Sequence, residues 1–330
     1  MAKTLVFTSD QAIANLRRAV HAKAANFYAM YSSVLGGIVT DPALMVLPLD
    51  DHMVHRGHAV FDTATLTQGM LYQLDPHLDR LIKSAGGARI PLPFSREQLR
   101  QIILATAAAS RRRNGSVRYW LSAGPGGYGL GPAECVGSSF YVIVFKQDAY
   151  PESYYSDGIK LVTSRVPIKP PLFARIKSTN YLPNVLVVLE AKDHGADNGV
   201  FIDQNGMVAE SSNMNVAFVT RDRVFRHPPF DAILSGITIR RVLDFAQRLV
   251  QEGALTAVRL ADISVQEGRD AAEMMLIGSS IKVAPVVEWD GQKIGDGKPG
   301  PIAKKLLEMW NEDATSAQDQ LVAVPYDEEV

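Results

Sequence analysis

The segment Ala174-Arg-Ile-Lys-Ser-Thr-Asn-Tyr-Leu-Pro-Asn184 places Lys177 directly before an apolar stretch with the spacing of a helix. Partial removal of a lysine from water favours the neutral amine, which is the nucleophilic form. On its own, the same pattern is typical of a solvated lysine at the start of a helix. A catalytic interpretation of Lys177 therefore depends on the segments that follow it.

Three later segments supply chemically matching groups. Glu210 lies in Gly206-Met-Val-Ala-Glu-Ser-Ser-Asn-Met-Asn215, where a carboxylate is followed by small polar residues. Ser235-Gly-Ile-Thr238 directly precedes a predicted helix, and Gly278-Ser-Ser280 lies between two apolar runs. The N-terminus of a helix behind a Gly/Thr loop favours phosphate binding. An amine, a carboxylate and two such loops are the groups that a pyridoxal phosphate site requires.

The overall composition is that of a folded chain of nearly neutral charge. Its 330 residues are 47% hydrophobic, and 34 Lys and Arg stand against 35 Asp and Glu. Because nucleic-acid and anionic-membrane binders need a strong positive field, a net charge of -1 argues against both classes. The single cysteine, Cys135, forms no internal disulfide and lies in no nucleophile motif. Without a long apolar run, no membrane span is expected.

The order of predicted strands and helices lacks regular βαβ alternation, which favours an α+β fold with two domains. The polar, turn-rich stretch 147–158 is the expected linker. The expected organisation is a helical extension over 1–30, a small α+β domain over 31–146, the linker, a large cofactor-binding domain over 159–311, and a loose polar tail over 312–330.

Individual elements are predicted from periodicity and from cap residues. Residues 10–30 are predicted as a helix and 44–49 as a short strand. Thr67-Gln-Gly69 is predicted as a hairpin loop, and Ser95 as the N-cap of a helix that starts at residue 96. A helix is expected over 179–194, with leucines in register.

Two other motifs are weighed and set aside. His52, His55 and His58 have a metal-like spacing, but Gly57 breaks the helix that the spacing would need, so no metal site is predicted. Gly124-Pro-Gly-Gly-Tyr-Gly129 has the letters of a dinucleotide loop, but no helix follows to hold a pyrophosphate.

From about Tyr31 to Trp310 the chain resembles the class IV (fold type IV) pyridoxal-phosphate aminotransferases, the family of branched-chain and D-amino-acid transaminases. Within that family it looks most like the plant-type D-amino-acid transaminases. The resemblance rests on these segments, in this order: Met30-Tyr-Ser-Ser33, His55-Arg-Gly-His-Ala-Val-Phe-Asp62, Pro76-His-Leu-Asp-Arg80, Arg118-Tyr-Trp-Leu-Ser-Ala-Gly-Pro125, Lys169-Pro-Pro-Leu-Phe173, Lys177-Ser-Thr-Asn-Tyr181, Glu210-Ser-Ser-Asn-Met-Asn215, Leu234-Ser-Gly-Ile-Thr238, Gly278-Ser-Ser280 and Ile294-Gly-Asp-Gly297.

The resemblance implies a two-domain fold with pyridoxal 5'-phosphate in the interdomain cleft. It implies that Lys177 is the Schiff-base lysine, that Glu210 binds the pyridine nitrogen, and that Arg80 binds the phosphate. It places Tyr181 at the ring hydroxyl, one residue nearer the lysine than in the branched-chain group. Further cofactor contacts are implied for Ser212, Asn213, Gly236, Ile237, Thr238 and Ser279, and substrate contacts for Phe61, Arg118, Tyr128 and Ser280.

The substrate is the open part of this prediction. A ping-pong transamination of a D-amino acid with 2-oxoglutarate or pyruvate is expected. A branched-chain L-amino-acid aminotransferase, a 4-amino-4-deoxychorismate lyase and an (R)-amine transaminase are the alternatives. Bacillus-type D-amino-acid transaminases trap the substrate carboxylate with an arginine and a histidine, and Tyr128 stands nearest that arginine position here. Arg118 is the expected replacement, with a surface ion pair as its alternative role.

The resemblance also implies a homodimer. A cytoplasmic location is expected, with import into an organelle as the alternative, since the first forty residues are poor in acids.

Overall fold

The computed structural model describes residues 4–326, which form two units, one of residues 4–147 with 322–326 and the other of 148–321. The helices of the first unit are α1 (Ser9–Ala19), α2 (His52–Arg56), α3 (Leu74–Gly87) and α4 (Arg96–Ala109). Its strands are β1 (Phe27–Ser32), β2 (Gly37–Val39), β3 (Ala59–Thr67), β4 (Met70–Tyr72), β5 (Gly115–Ser122) and β6 (Ser139–Phe145).

The second unit contains the remaining helices and most of the remaining strands. Its helices are α5 (Ser153–Ser156), α6 (Pro171–Ala174), α7 (Leu182–Asp193), α8 (Ile237–Gln251), α9 (Val265–Arg269) and α10 (Pro301–Ser316). Its strands are β7 (Ile159–Thr163), β8 (Asn198–Ile202), β9 (Val208–Ser211), β10 (Asn215–Val219), β11 (Val224–His227), β12 (Ala257–Leu260), β13 (Glu273–Gly278), β14 (Lys282–Trp289) and β15 (Gln292–Lys293). The last strand within the described residues is β16 (Leu321–Ala323).

The sheet of the first unit has the strand order β16-β4-β3-β5-β6-β1-β2. Buried and half-buried positions alternate along most of β3, so that Val60, Asp62 and Ala64 face inward. Helix α3 packs on β3, and α4 packs on β1 and β6. Helix α4 begins with a reciprocal cap, in which Ser95 and Gln98 each accept the other's backbone N–H.

The sheet of the second unit closes on itself. Its order runs β12-β11-β10-β13-β14-β7-β8-β9, and β9 pairs again with β10, where Glu210 stands opposite Asn215. Large apolar side chains such as Trp289, Phe218 and Leu276 form part of the core of this unit. The closing pair places a carboxylate residue at the seam of the closed sheet.

Most predicted elements are confirmed. The hairpin around Thr67–Gly69 and the Ser95 cap lie where expected. The α+β fold class is confirmed as well. These elements depend on local signals, which the sequence carries directly.

Three predictions at the chain ends and in the loops are wrong. The helix predicted over 10–30 ends at Ala19, because Phe27–Ser32 pairs on both sides as β1. Residues 44–49 form no strand, and Pro42–Leu44 is a 3₁₀ turn instead. The tail over 312–330 is ordered as far as it is described, since α10 reaches Ser316 and β16 joins the first sheet beside β4. Residues 327–330 lie outside the described part.

Helix α7 has the predicted register, but its leucines do not face a core. Leu182, Leu186 and Leu189 are exposed, as are Val185 and Val188. Within residues 4–326, none of the helices has both the length and the apolar character to cross a membrane.

Candidate active site

Lys177 and Tyr181 lie together just before helix α7. Tyr181 is the N-cap residue of the helix, and the next turn contains Pro183, which is favourable at a helix start. The ammonium Nζ of Lys177 donates to the hydroxyl of Tyr181 at 3.4 Å. The structure therefore brings the predicted nucleophile next to a phenol.

Glu210 is buried at the seam between β9 and β10. One carboxylate oxygen accepts the backbone N–H of Leu234 at 3.4 Å. Burial raises the pKa of Glu210 to about 7, although the charge of Lys169, the Leu234 N–H and the charge of Lys177 each act to lower it. The charges of Lys169 and Lys177 thus both act on Glu210, whose pKa lies near neutral pH.

Asn215 connects Glu210 to the loop before α8. It is the cross-strand partner of Glu210, and its side-chain amide donates to the Leu234 carbonyl at 3.0 Å. A Cβ at Gly236 would lie 2.1 Å from the side-chain oxygen of Asn215, so only glycine permits this close approach. No role was predicted for Asn215, although it ends the segment Glu210-Ser-Ser-Asn-Met-Asn215 on which the resemblance partly rests.

The two predicted phosphate loops meet. Thr238, in the first turn of α8, and Ser279, in the turn between β13 and β14, have their hydroxyl oxygens 3.2 Å apart. The N-cap of α8 is Gly236, which has no side chain to occupy the first backbone N–H groups of this fifteen-residue helix. Ile237 and Thr238 are buried there, whereas Ser280 is exposed in its turn. Such an arrangement of N–H and hydroxyl donors suits an anion.

Ser212 and Asn213 form the turn between β9 and β10. The side-chain amide of Asn184 donates to the Ser212 carbonyl, and the Ser212 hydroxyl donates to Asn213 at 3.3 Å. Together with Tyr181 these residues line a cavity of about 440 Å³. Three of the predicted cofactor residues, Tyr181, Ser212 and Asn213, thus line the same cavity.

Arg80 belongs to the first unit, where a buried aspartate holds it. Its Nε and Nη2 atoms each donate to Asp62 at 2.8 Å, and Nδ1 of His77 lies 2.7 Å from the same carboxylate. Burial acts to raise the pKa of Asp62, but the charges of Arg80 and His77 hold it well below its usual range. Asp62 was missed as a functional residue, although a charged residue at an inward position of an alternating strand was a visible signal.

Replacing Asp62 by asparagine is expected to destabilise the protein by about 3–5 kcal/mol, because the buried charge of Asp62 pairs with the guanidinium of Arg80, which is only 11% exposed. Since the pKa of Asp62 is depressed on folding from 3.8, its contribution is complete at pH 7 and declines only below about pH 4. Urea unfolding at pH 7 and at low pH measures the difference in the free energy of unfolding between wild type and Asp62→Asn. Asp79→Asn is the control, because Asp79 pairs with Arg96 on the surface and its loss should cost about 1 kcal/mol or less. Equal effects of the two substitutions would contradict the structural role of Asp62.

The predicted substrate residues Phe61, Arg118 and Tyr128 also lie in the first unit. Arg118 on β5 donates to the Thr63 hydroxyl on β3 at 2.9 Å, and its guanidinium lies 5.6 Å from the centre of the Phe61 ring. Tyr128 is exposed in the loop after β5, with its ring 5.1 Å from that of His55. Phe61 and Arg118 are therefore neighbours, as expected for residues in paired strands.

The three histidines of the metal-like motif are engaged elsewhere. Nε2 of His58 lies 2.8 Å from the Ala88 carbonyl, and the Nδ1 atoms of His52 and His58 are 3.1 Å apart. Among the residues that the structure describes, no cluster of three or more potential ligands is arranged for a metal ion.

Comparison with known proteins agrees with this geometry. Residues 59–289 match the family described as amino-transferase class IV. The D-amino-acid transaminase, chloroplastic, of Arabidopsis thaliana is 52% identical over 302 residues, which are 91% of this chain and 80% of that protein. A branched-chain-amino-acid aminotransferase of Pseudomonas aeruginosa is 31% identical, over 78% of this chain and 85% of its own.

A solved structure shows the same fold. The branched-chain amino acid aminotransferase of T.th. with pyridoxamine 5'-phosphate superposes with a TM-score of 0.82 at 25% identity, covering 90% of this chain and 99% of the other. The family match spans well over half of the chain, and of the residues that carry the resemblance, Lys177, Glu210 and Thr238 lie together in the second unit. On these grounds, this chain belongs to the class IV aminotransferase family.

Proposed function

We propose that the protein is a pyridoxal-phosphate-dependent transaminase that moves the amino group of a D-amino acid to 2-oxoglutarate or pyruvate by a ping-pong mechanism. The observation that carries this proposal is the grouping of Lys177, Tyr181 and buried Glu210 in one unit with two hydroxyl-bearing anion loops. The 52% identity to a plant enzyme named for D-amino acids supports the substrate class.

The donor set fits pyridoxal phosphate. The open N-terminus of α8, with Thr238 and Ser279, offers neutral donors to a phosphate. Glu210 offers a carboxylate to a pyridine nitrogen, and Tyr181 offers a hydroxyl next to the Lys177 amine. Ser212 and Asn213 complete the same region from the β9–β10 turn. Arg80 remains the predicted phosphate-binding arginine on the basis of the resemblance, with Asp62 holding its guanidinium.

Lys177, Glu210 and Tyr181 have different roles in the proposed reaction. When bound, the cofactor supplies an electron-accepting ring that stabilises negative charge at the substrate carbon. The neutral Nζ of Lys177 would take the proton from the substrate carbon as a base and deliver it as an acid to the C4′ carbon of the cofactor. Ionised Glu210 holds a proton at the pyridine nitrogen, and Tyr181 orients the lysine through its hydroxyl.

The substrate proposal predicts that D-alanine or D-glutamate converts the visible spectrum of the holoenzyme faster than L-leucine. Stopped-flow absorbance with each amino acid alone measures this half-reaction, without a second substrate. The two-substrate rates should then give parallel double-reciprocal lines, as a ping-pong mechanism requires.

The same measurements separate the alternatives. A faster response to L-leucine would transfer the assignment to branched-chain amino acids. Release of pyruvate from 4-amino-4-deoxychorismate without an acceptor would indicate a lyase, and a response to (R)-amines alone would indicate an amine transaminase.

In Arg118→Lys, a rise in KM with little change in kcat is expected if Arg118 binds the substrate carboxylate.

We also propose a homodimer, supported by the exposed apolar side of α7 with Leu182, Val185 and Leu189. Apolar surface of this kind is typical of protein interfaces. Light scattering of the purified protein measures its mass in solution, and a monomer would contradict this proposal. The cytoplasmic location stays a prediction, and the chloroplastic Arabidopsis relative makes an organelle its alternative. Localisation of the tagged full-length protein decides between them.

A further inference from the structure

Lys169 is a second lysine near the candidate site, and the sequence assigned it no role. It lies between β7 and α6, and the following Pro170 restricts its backbone to an extended conformation. Its neighbour Ile168 packs on an apolar cluster that includes Ala209 and Ile233. Since Ala209 precedes Glu210, and Ile233 precedes Leu234, this packing brings the segment of Lys169 close to the strand and loop that carry the carboxylate and its N–H donor.

The charge of Lys169 has two partners here. Its ammonium lies 4.8 Å from the centre of the Tyr181 ring, within the range of a cation–π interaction. Its charge also acts to lower the pKa of Glu210, with a larger effect than that of Lys177. Burial lowers the pKa of Lys169, and the charge of Glu210 opposes that effect. The groups that act on Glu210 are therefore Lys169, Lys177 and the backbone N–H of Leu234.

Of the two lysines, only Lys169 is able to remain charged while Lys177 reacts. A lysine that acts as a nucleophile or as a base must be neutral at that moment. At that point the Lys177 charge does not offset the burial of Glu210. Without a second cation, the pKa of the buried carboxylate would rise and it would take up a proton. A protonated Glu210 is a poor partner for a protonated pyridine nitrogen.

We propose that Lys169 is a positioning residue that keeps Glu210 ionised while Lys177 acts, so that the site uses one lysine for chemistry and another as a constant counter-charge. This inference rests on the proposed function, because it assigns Glu210 to the pyridine nitrogen. In this proposal Lys169 affects the protonation of the pyridine nitrogen through Glu210, and it does not itself react.

The experiment compares wild type with Lys169→Met, which removes the charge at similar length, and with Lys169→Arg, which keeps it. Lys293→Met is the matched control, because Lys293 is exposed on β15 of the same unit. Glutamate labelled with ¹³C at the side-chain carboxyl reports the titration of Glu210 in the cofactor-free full chain, and Glu210→Gln identifies the resonance. Pyridoxal 5'-phosphate is then titrated into each protein between about pH 6 and pH 9, a range that brackets the titration of Glu210, and thermal unfolding verifies that each variant is folded.

In Lys169→Met, the titration midpoint of Glu210 is expected to rise by about one pH unit or more, since a neighbouring opposite charge lowers a carboxyl pKa by about that amount. The affinity for pyridoxal phosphate at about pH 7.5 should fall about tenfold, with recovery at higher pH. Lys169→Arg and Lys293→Met should stay within about threefold of wild type in affinity. A purely structural role of Lys169 would change stability without moving the midpoint.

The outcomes separate this inference from the function on which it rests. If the cofactor binds and the Glu210 midpoint is the same in wild type and Lys169→Met, the inference is wrong and the proposed function stands. If the midpoint moves but wild type binds no cofactor, the proposed function is wrong and the coupling of Lys169 to Glu210 stands. If Lys169→Arg loses affinity as Lys169→Met does, charge is not the property that matters and the inference is overturned.

Discussion

Lys177→Ala is expected to lower the transamination rate by about four orders of magnitude or more, because it removes both the nucleophilic amine and the group that moves the proton. The purified wild type should carry a visible absorption band with pyridoxal phosphate, and the variant should lack it. Borohydride treatment of wild type should leave the cofactor on the peptide that contains Lys177, as peptide mass spectrometry would show.

Lys177→Arg and Lys192→Ala are the controls for this result. Arginine keeps a cation next to Tyr181 but provides no nucleophile, so it should be as inactive as alanine. Lys192 is exposed on α7, and its replacement should leave rate and spectrum unchanged. A wild type that stays colourless with added cofactor, or borohydride labelling of another lysine, would refute the assignment of Lys177.

Glu210→Gln is expected to slow transamination by about two to four orders of magnitude and, at the same time, to stabilise the cofactor-free protein. The rate falls because an amide does not hold a proton at the pyridine nitrogen. The stability rises because an ionised acid buried in the folded protein is destabilising at high pH. A pKa that folding raises from 4.5 to about 7 corresponds to about 3 kcal/mol.

The sign of this effect sets its pH dependence. Between pH 4.5 and 7 the folded protein binds more protons at Glu210 than the unfolded chain does, so wild type loses stability as the pH rises through this window. The advantage of Glu210→Gln should therefore be largest above pH 7 and absent below about pH 4.5. Urea unfolding across this range measures it, with Glu308→Gln on the exposed face of α10 as control. A variant less stable than wild type at about pH 8.5, where Glu210 is ionised, would contradict the assigned cost of burial.

The parts of the site that lie close together in sequence were predictable. Tyr181 follows Lys177 closely in the sequence, and the segment Ser235-Gly-Ile-Thr238 leads directly into helix α8. Both depend on signals within one segment, and the structure bears out that local geometry. The resemblance to a known family added the order in which such segments occur.

The contacts between distant segments were not predictable from periodicity. The charge of Lys169 acts on the pKa of Glu210, and its neighbour Ile168 packs on a cluster that includes Ala209, which no pattern along the chain encodes. The pairing of Asp62 with Arg80 depends on α3 lying over β3. Likewise, the leucines of α7 have helical register, but the sequence does not state whether protein or solvent lies on that side.

Strand β16 has a consequence for truncation and for the isolation of the units. The chain leaves the first unit at Gln147 and returns to it at Val322, so the first unit is discontinuous in sequence. A fragment that stops at Gln147 would lack the strand beside β4 and would expose the unpaired backbone groups of a sheet edge, which favours aggregation. No single contiguous stretch of the gene encodes this unit with its sheet complete, and an expression strategy for it must supply the final strand separately.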